Sequence, residues 1–209
     1  MEKKIIPPSE LIINPDGSVF HLHLLPEQLT DRIILVGDPA RVDMVAEFFD
    51  TKTFEVSSRE FHTIGGTYDG KPIMCLSHGI GPDNIDIVIN ELDALANVDF
   101  NTREVRDKLR RLSMVRIGTS GALQPELMLG TPVIAEKSIG FDGVLNYYAG
   151  RNEVADLEFE HALCKHTGWN PLWAKPYVVD ADADLVNLIG RDDMVRGNTI
   201  SAVGFYGPQ

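Results

Sequence analysis

Apolar residues along the chain follow two different spacings. In some segments they form short unbroken runs, as in residues 32–36 (RIILV), and in others they recur every three or four positions, as in residues 41–49. Short runs between turn-forming residues predict buried strands, whereas the longer spacing predicts amphipathic helices. In chain order, the predicted elements are a strand at 32–36, a helix at 41–49, strands at 54–68 and 71–77, a helix from about 84 to 97, strands at 113–118 and 131–139, a helix near 155–167, a short helix at 182–189 and a strand at 197–204.

The alternation of strands and helices predicts an α/β domain with a mixed or mainly parallel sheet under helices. Asp69-Gly70 is a hairpin signal between two of the strands. Ligands of such sheets bind beyond the carboxyl ends of the strands, so we expect the chemistry in the loops at 37–41, 78–83 and 118–122. Residues 1–18 precede the pattern and are predicted to form an extended arm.

Composition narrows the class of protein. The chain has 209 residues and a formal net charge of −12, with 44% hydrophobic and 24% charged residues, which is typical of a globular protein and argues against disorder. The acidity argues against a basic face that binds nucleic acid. Because no apolar stretch is long enough to cross a membrane and there are only two cysteines, Cys75 and Cys164, we expect no membrane association, free buried thiols and a cytoplasmic location.

Two glycine-containing loops carry arginines that favour an anion site. Gly37 precedes a predicted helix whose first turn holds Arg41, and the N–H groups at a helix N-terminus can bind an anion. A simple turn is the alternative for this loop. Arg116 lies in a strand that is otherwise predicted to be buried, so it needs either a structural ion pair or an anion in a pocket, with two hydroxyl side chains in the loop beyond.

Further candidates lie outside these loops. Arg59, in a predicted strand, is either a surface charge or a bidentate phosphate ligand. His21 and His23 have the spacing of a metal-binding pair on a strand, but no further ligand follows at a suitable spacing, so we expect no metal site. Residues 101–111, with five basic and two acidic side chains, predict a solvated helical insertion rather than a phosphate or nucleic-acid patch. The aromatic rings and amide of residues 204–209 suit either a flat ring or a β-turn with a core Phe.

Taken together, these segments resemble the nucleoside phosphorylase superfamily, and most closely its uridine phosphorylase branch. In the family's order they are VFHLHL (19–24), GDPARV (37–42), SREF (58–61), GIG (79–81), RIGTSGAL (116–123), FDG (141–143) and GFYGPQ (204–209). The resemblance implies a single-domain three-layer α/β/α fold with a mixed central β-sheet. This domain would span residues 19–209, after the arm at 1–18.

The resemblance also implies roles for individual residues, none of which acts by covalent or proton-transfer catalysis. The residues implied to bind phosphate are Gly37, Arg41, Arg59, Arg116 and Thr119. The residues implied to bind the nucleoside are His21, Ser120, Gly121, Phe205 and Gln209. Among them, Arg59 and His21 would reach into the site of a neighbouring subunit. A homodimer would then be the minimum unit, and the family implies a hexamer.

The implied reaction is the reversible phosphorolysis of uridine to uracil and ribose 1-phosphate by a pentosyltransferase. Phosphate would be the co-substrate, and no cofactor would be needed. An external phosphate nucleophile requires no pair of catalytic carboxylates, because arginines and loop N–H groups can orient it against the sugar C1′. The alternatives are a purine nucleoside phosphorylase, a nucleosidase that uses water, and a truncated chain that binds phosphate or a nucleobase without catalysis.

The final motif favours the pyrimidine branch, because an F-Y-x-x-Q ending resembles the enzymes that recognise uracil. Family chains usually continue beyond this motif. We therefore expect the chain to be incomplete at its C-terminus, without the following arginine and the segment that binds the ribose hydroxyls. Bacterial members can also bind a monovalent cation through a glutamate, here Glu60, and a serine whose position is taken by Asn84.

Overall fold

The computed structural model describes residues 4–206. The chain divides into two compact units, Met1–Ser120 and Gly121–Gln209. The elements of the first unit are β1 (Arg32–Val36), α1 (Pro39–Ala46), β2 (Thr51–Ser58), β3 (Phe61–Tyr68), β4 (Lys71–Ser77), α2 (Pro82–Asn97) and β5 (Ser113–Ile117). The elements of the second unit are β6 (Val133–Gly140), α3 (Arg151–Val154), α4 (Leu157–Thr167), β7 (Tyr177–Asp180), α5 (Ala183–Ile189) and β8 (Val195–Ser201).

The first unit is built on a five-stranded sheet with the order β2-β3-β4-β1-β5. β1 runs parallel to β4 and to β5, whereas β3 pairs antiparallel with β2 and with β4. Asp69 and Gly70, both at positive φ, form the tight turn between β3 and β4 that the sequence predicts. The predicted α/β class and the mixed sheet are confirmed.

Helices cover both faces of this sheet. Successive side chains of a strand point to opposite faces. Ile33 and Leu35 of β1 belong to a buried cluster that includes apolar residues of α2. Val36 and Cys75 belong to a second cluster, which contains residues of α1. The first unit therefore has three layers, and burial in the second cluster raises the pKa of the Cys75 thiol to about 12.

Local sequence explains where the two helices begin. Asp38 caps α1, because its carboxylate accepts a hydrogen bond from the backbone N–H of Ala40 at 2.9 Å. Proline occupies the first position of both helices, where its missing N–H costs no helical hydrogen bond. α2 follows Gly81, whose φ of 98° favours glycine. α1 ends at Ala46, before the predicted limit of residue 49.

The basic segment at 101–111 contains no helix, so the prediction of a helical insertion is wrong. Two of its arginines, Arg103 and Arg110, bind backbone carbonyls of distant segments instead. Arg103 Nε donates to Ile6 O at 2.9 Å and the Ile6 N–H donates back to Arg103 O at 2.9 Å, which ties the described part of the arm to this segment. Arg110 donates to Leu29 O at 2.9 Å and pairs with Asp31.

The second unit contains a three-stranded sheet with the order β7-β6-β8, in which β7 is antiparallel and β8 parallel to β6. Asp156 caps α4 by accepting from Phe159 N at 2.9 Å, and Gly168, at a φ of 60°, ends it. Cys164 on this helix is half-buried rather than fully buried. None of the helices in residues 4–206 is long and apolar enough to cross a membrane.

Candidate functional site

The carboxyl ends of three parallel strands meet at one edge of the first unit's sheet. Val36 of β1 lies in register with Ser77 of β4 and with Ile117 of β5. The loops that follow these strands therefore lie side by side, as the sequence predicts for the loops at its candidate site. A Cβ atom placed on Gly37 would lie 3.8 Å from Cε1 of His78, so the first two loops are in contact.

Arg116 joins this edge from β5. Its Nε donates to Nε2 of His78 at 3.0 Å. Desolvation lowers the pKa of His78, and the nearby charge of Arg116 lowers this pKa further, so at neutral pH the ring is uncharged and can accept the hydrogen bond. The guanidinium lies over the backbone of Gly118, where a Cβ would be only 2.5 Å from Nη1.

The ion pair that was one alternative for Arg116 is not formed. No carboxylate in residues 4–206 lies within ion-pairing distance of its guanidinium. The expectation that its strand is buried is also wrong. β5 is the outermost strand of the sheet, with a neighbouring strand on one side only, and Arg116 is exposed. The guanidinium therefore keeps an uncompensated positive charge and unused donors.

Arg41 lies near the same edge, in the first turn of α1. Its backbone N–H donates to Asp38 O at 3.0 Å, and the described residues give its guanidinium no carboxylate partner either. Thr119 and Ser120 follow β5 and are exposed. The predicted phosphate ligands other than Arg59 thus come from the loops and first helical turn at one sheet edge.

Arg59 and His21, the two residues implied to serve a neighbouring site, both contact the ring of Phe20. Cζ of Arg59 is 5.8 Å from the ring centroid. The rings of Phe20 and His21 are packed edge to face with their centroids 4.8 Å apart. Neither residue is in a strand, which corrects two expectations: Arg59 occupies the turn between β2 and β3 at a φ of 55°, and His21 lies in a turn.

The hydroxyl of Ser77 forms two hydrogen bonds that hold the turn at Arg59. Ser77 Oγ accepts from the backbone N–H of His62 at 2.8 Å and donates to Glu60 O at 2.8 Å. Arg-Glu is not a typical turn dipeptide, so the sequence of the predicted strand at 54–68 gave no sign of this break. A backbone hydrogen bond and a second from Asn84, whose Nδ2 is 3.0 Å from Oε1, lower the pKa of Glu60.

Two residues of this region were not identified from the sequence. His78 is buried at the start of the second loop, where its position directly after a strand was an available signal. Glu91 is 7% exposed on α2 and binds His21. Its signal was a carboxylate within the apolar stripe of a helix, between Val88 and Leu95.

The remaining predicted residues belong to the second unit. Gly121 has no heavy atom within 4 Å of a Cβ placed on it, and Phe205 is 86% exposed with its ring 4.8 Å from that of Tyr206. Gln209 lies outside the described residues. Asp142 of the FDG segment accepts a hydrogen bond from Tyr177 Oη at 2.9 Å. Burial raises the pKa of Tyr177, and this hydrogen bond raises it further.

The side chains of residues 4–206 form no group of three or more His, Cys, Asp or Glu that could hold a metal ion.

The family model and the curated relatives that match this chain belong to one family of proteins. A family model described as the phosphorylase superfamily matches residues 31–209. The chain is 31% identical to a uridine phosphorylase of Haemophilus influenzae over 164 residues, which are 78% of this chain and 60% of that protein. It is 33% identical to a uridine phosphorylase of Escherichia coli over 151 residues, 70% of this chain and 54% of that protein. The matched region therefore spans little more than half the length of these curated relatives.

A solved structure gives the same result for the fold. The nucleoside phosphorylase of Trypanosoma brucei, described as showing uridine phosphorylase activity, matches 94% of this chain and 70% of its own with a TM-score of 0.80 and 30% identity. A uridine phosphorylase from Vibrio fischeri, 22% identical, covers 90% of this chain and 65% of its own with a TM-score of 0.61, which concerns the fold alone.

Proposed function

Because this chain belongs to the phosphorylase superfamily, we propose that it binds phosphate and uridine in an enzyme that releases uracil and ribose 1-phosphate. A phosphate oxygen bonds to C1′ of the ribose while the bond from C1′ to N1 of uracil breaks. The electron pair of that bond leaves with uracil, which takes up the proton carried by hydrogen phosphate. The reaction is a pentosyl transfer that needs no cofactor.

The observation that carries the proposal is a pair of arginines, beside the carboxyl ends of the parallel strands, to which residues 4–206 give no carboxylate partner. Arg41 adds positive charge from the first turn of α1, and Arg116 adds it from the end of β5, which pairs with β1. In a chain with a net charge of −12, two arginines without such partners favour an anionic ligand. Gly37 lets the backbone approach the phosphate, with Thr119 as a further ligand.

Uridine is the proposed nucleoside for two reasons. Relatives from Haemophilus influenzae and Escherichia coli at 31% and 33% identity carry the name uridine phosphorylase, and the chain's FYGPQ ending supplies an aromatic residue, Phe205, and an amide, Gln209, for the pyrimidine. Ser120 and Gly121 would line the same base pocket. A purine nucleoside phosphorylase of Plasmodium falciparum, 30% identical over 113 residues, favours purine nucleosides as the second candidate.

The decisive experiment measures cleavage of uridine and of inosine with and without phosphate. We expect uracil release that requires phosphate and is faster with uridine. Faster cleavage of inosine would favour the purine enzyme, and cleavage without phosphate would favour a nucleosidase. Phosphate binding without any cleavage would favour a chain that binds and does not catalyse.

The proposal includes a homodimer as the minimum unit, a hexamer built from dimers and a cytoplasmic location. Arg59 and His21 lie around one ring, Phe20, so a single contact surface can deliver both to a neighbour. Both cysteines are free, as a reducing compartment would keep them. Light scattering measures the assembly, and cell fractionation measures the location.

A complementation assay tests the shared site directly. Arg59→Gln and Arg116→Gln each remove one charge from the proposed site, and we expect both variants to be nearly inactive. If Arg59 serves the neighbour, a refolded equimolar mixture recovers about one quarter of the wild-type activity, because mixed dimers contain one intact site. If both arginines serve the same chain's site, mixing recovers nothing.

A further inference from the structure

Glu91 is a buried carboxylate that is bound by four hydrogen bonds from one turn. The backbone N–H of His21 donates to its two oxygens at 2.9 and 3.1 Å, and the backbone N–H of Leu22 donates at 2.8 Å. Nδ1 of His21 lies 2.6 Å from Oε1. No lysine or arginine in the described part of the chain pairs with Glu91, so this turn is what compensates the carboxylate.

The contact with the ring determines where the imidazole carries its proton. An ionised carboxylate only accepts hydrogen bonds, so Nδ1 must donate to Oε1. In the neutral ring, a proton on Nδ1 leaves Nε2 as a hydrogen-bond acceptor. The edge-to-face contact with Phe20 holds the ring from another side. The His21 side chain remains 28% exposed, whereas that of Glu91 is 10% exposed.

We propose that Glu91 is a positioning residue that fixes the tautomer and orientation of His21, so that Nε2 accepts a hydrogen bond from a hydroxyl of the bound nucleoside. The inference rests on the proposed function, and the family resemblance implies that the group His21 contacts is the 5′-hydroxyl of the nucleoside. An Nε2 acceptor discriminates among groups at that position. A hydroxyl donates to it, and a methyl group leaves it unpaired. A phosphate offers mainly acceptor oxygens, which are repelled by the lone pair of Nε2.

Glu91→Gln is the variant that separates this role from simple support of the turn. A glutamine has the same shape but presents an NH₂ group, which is a donor, to a site where every partner donates. The backbone N–H of Leu22 cannot give up its proton, so the amide oxygen faces that group and the NH₂ group faces Nδ1. The ring proton must then move to Nε2, which turns the acceptor into a donor. Glu91→Asp keeps the carboxylate on a shorter side chain. Asp93→Asn, an exposed carboxylate two positions further along α2, is the matched control.

The first measurement is the ring ¹⁵N–¹H spectrum, with His21 assigned by comparison with His21→Gln. In the wild type, we expect the proton on Nδ1, and in Glu91→Gln we expect this signal to be lost. Asp93→Asn should leave it unchanged. A proton on Nε2 in the wild type, or an unchanged tautomer in Glu91→Gln, would overturn the proposal. This readout does not depend on turnover, so it stands even if the proposed activity fails.

The second measurement compares uridine with 5′-deoxyuridine. In Glu91→Gln, kcat/KM for uridine should fall about tenfold, the effect of losing one hydrogen bond, mainly through KM. It should stay within about twofold for 5′-deoxyuridine, which lacks the 5′-hydroxyl and so has no such hydrogen bond to lose. Glu91→Asp should recover part of the loss. Equal losses on both substrates would mean that Glu91 only supports the turn and would refute the positioning role, whereas no wild-type cleavage of uridine would refute the proposed function instead.

Discussion

Two arginines of this chain have opposite surroundings. In the second unit, Arg151 forms a two-pronged pair with the buried Glu160, with Nη2 to Oε1 at 2.8 Å and Nη1 to Oε2 at 3.0 Å. In the first unit, Arg116 has one neutral partner, Nε2 of His78. The side chains of Arg151 and Glu160 are 10% and 1% exposed, whereas Arg116 is exposed at a sheet edge.

The difference separates an arginine that stabilises the fold from one that can bind a ligand. The fork of Arg151 is used within the unit, and Glu160 also accepts from Val178 N at 3.2 Å. Arg116 uses only its Nε in this hydrogen bond, so its two Nη groups and its charge remain available for an anion such as phosphate. His78 orients this guanidinium without neutralising it, because the ring carries no charge of its own at neutral pH.

Removing the first arginine should produce the largest effect on stability. Arg151→Met leaves Glu160 buried without its main partner, so the free energy of unfolding should fall by about 3–5 kcal/mol. Urea denaturation measures it. The double variant Arg151→Met/Glu160→Met should lose less than the sum of the single losses, because it removes the buried carboxylate that Arg151→Met leaves with the more distant Lys175, at 3.4 Å, as its ion-pair partner. A loss below about 1 kcal/mol in Arg151→Met would mean that the pair is not a stabilising element.

Crowding the second arginine should weaken phosphate binding without much change in stability. In Gly118→Ala, the new methyl group would lie 2.5 Å from Nη1 of Arg116, and the flexible guanidinium must move away. Because charge-assisted hydrogen bonds depend on geometry, we expect roughly a tenfold loss of phosphate affinity in calorimetric titration. Gly197→Ala, where nothing lies within 4 Å, is the control. Equal phosphate affinity in the two variants would contradict the placement of Arg116.

The smallest expected effect concerns pH. Desolvation, reinforced by Arg116, lowers the pKa of His78 in the folded protein. Below its unfolded pKa of about 6.5, the unfolded chain therefore binds a proton that the folded chain does not, and stability should fall as pH falls. His78→Gln removes this contribution, so its stability should decline less than that of the wild type between about pH 7 and about pH 5. Parallel curves for the two proteins would show that His78 titrates normally.

The sequence could predict the first unit's architecture because its information is local. The runs and helical spacings at 32–36, 71–77 and 84–97 determine which segments are strands and helices, and the order of these elements determines which loops share a sheet edge. Arg41 and Arg116 were therefore found as candidates from their places beside those loops.

The partners of these residues could not be predicted, because they depend on contacts far apart in sequence. Glu91 binds a turn 70 positions earlier in the chain, and Arg110 reaches residues about 80 positions away. A charge pattern alone does not distinguish a solvated helix from a segment whose arginines bind distant carbonyls, which is why 101–111 was assigned wrongly. Arg59 was placed in a strand because the break at its turn depends on the hydroxyl of Ser77.

Arg116 is proposed to hold phosphate because no carboxylate in the described part of the chain neutralises it. Calorimetric titration of phosphate into the wild type, Arg116→Gln and Arg191→Gln tests this most directly. Arg191 pairs with Asp193 on the surface at 2.9 Å, so its variant changes the net charge equally at another place. We predict that Arg116→Gln binds phosphate about 10–100-fold more weakly than the wild type, while Arg191→Gln stays within about twofold. Equal phosphate affinity in all three proteins would contradict this role of Arg116.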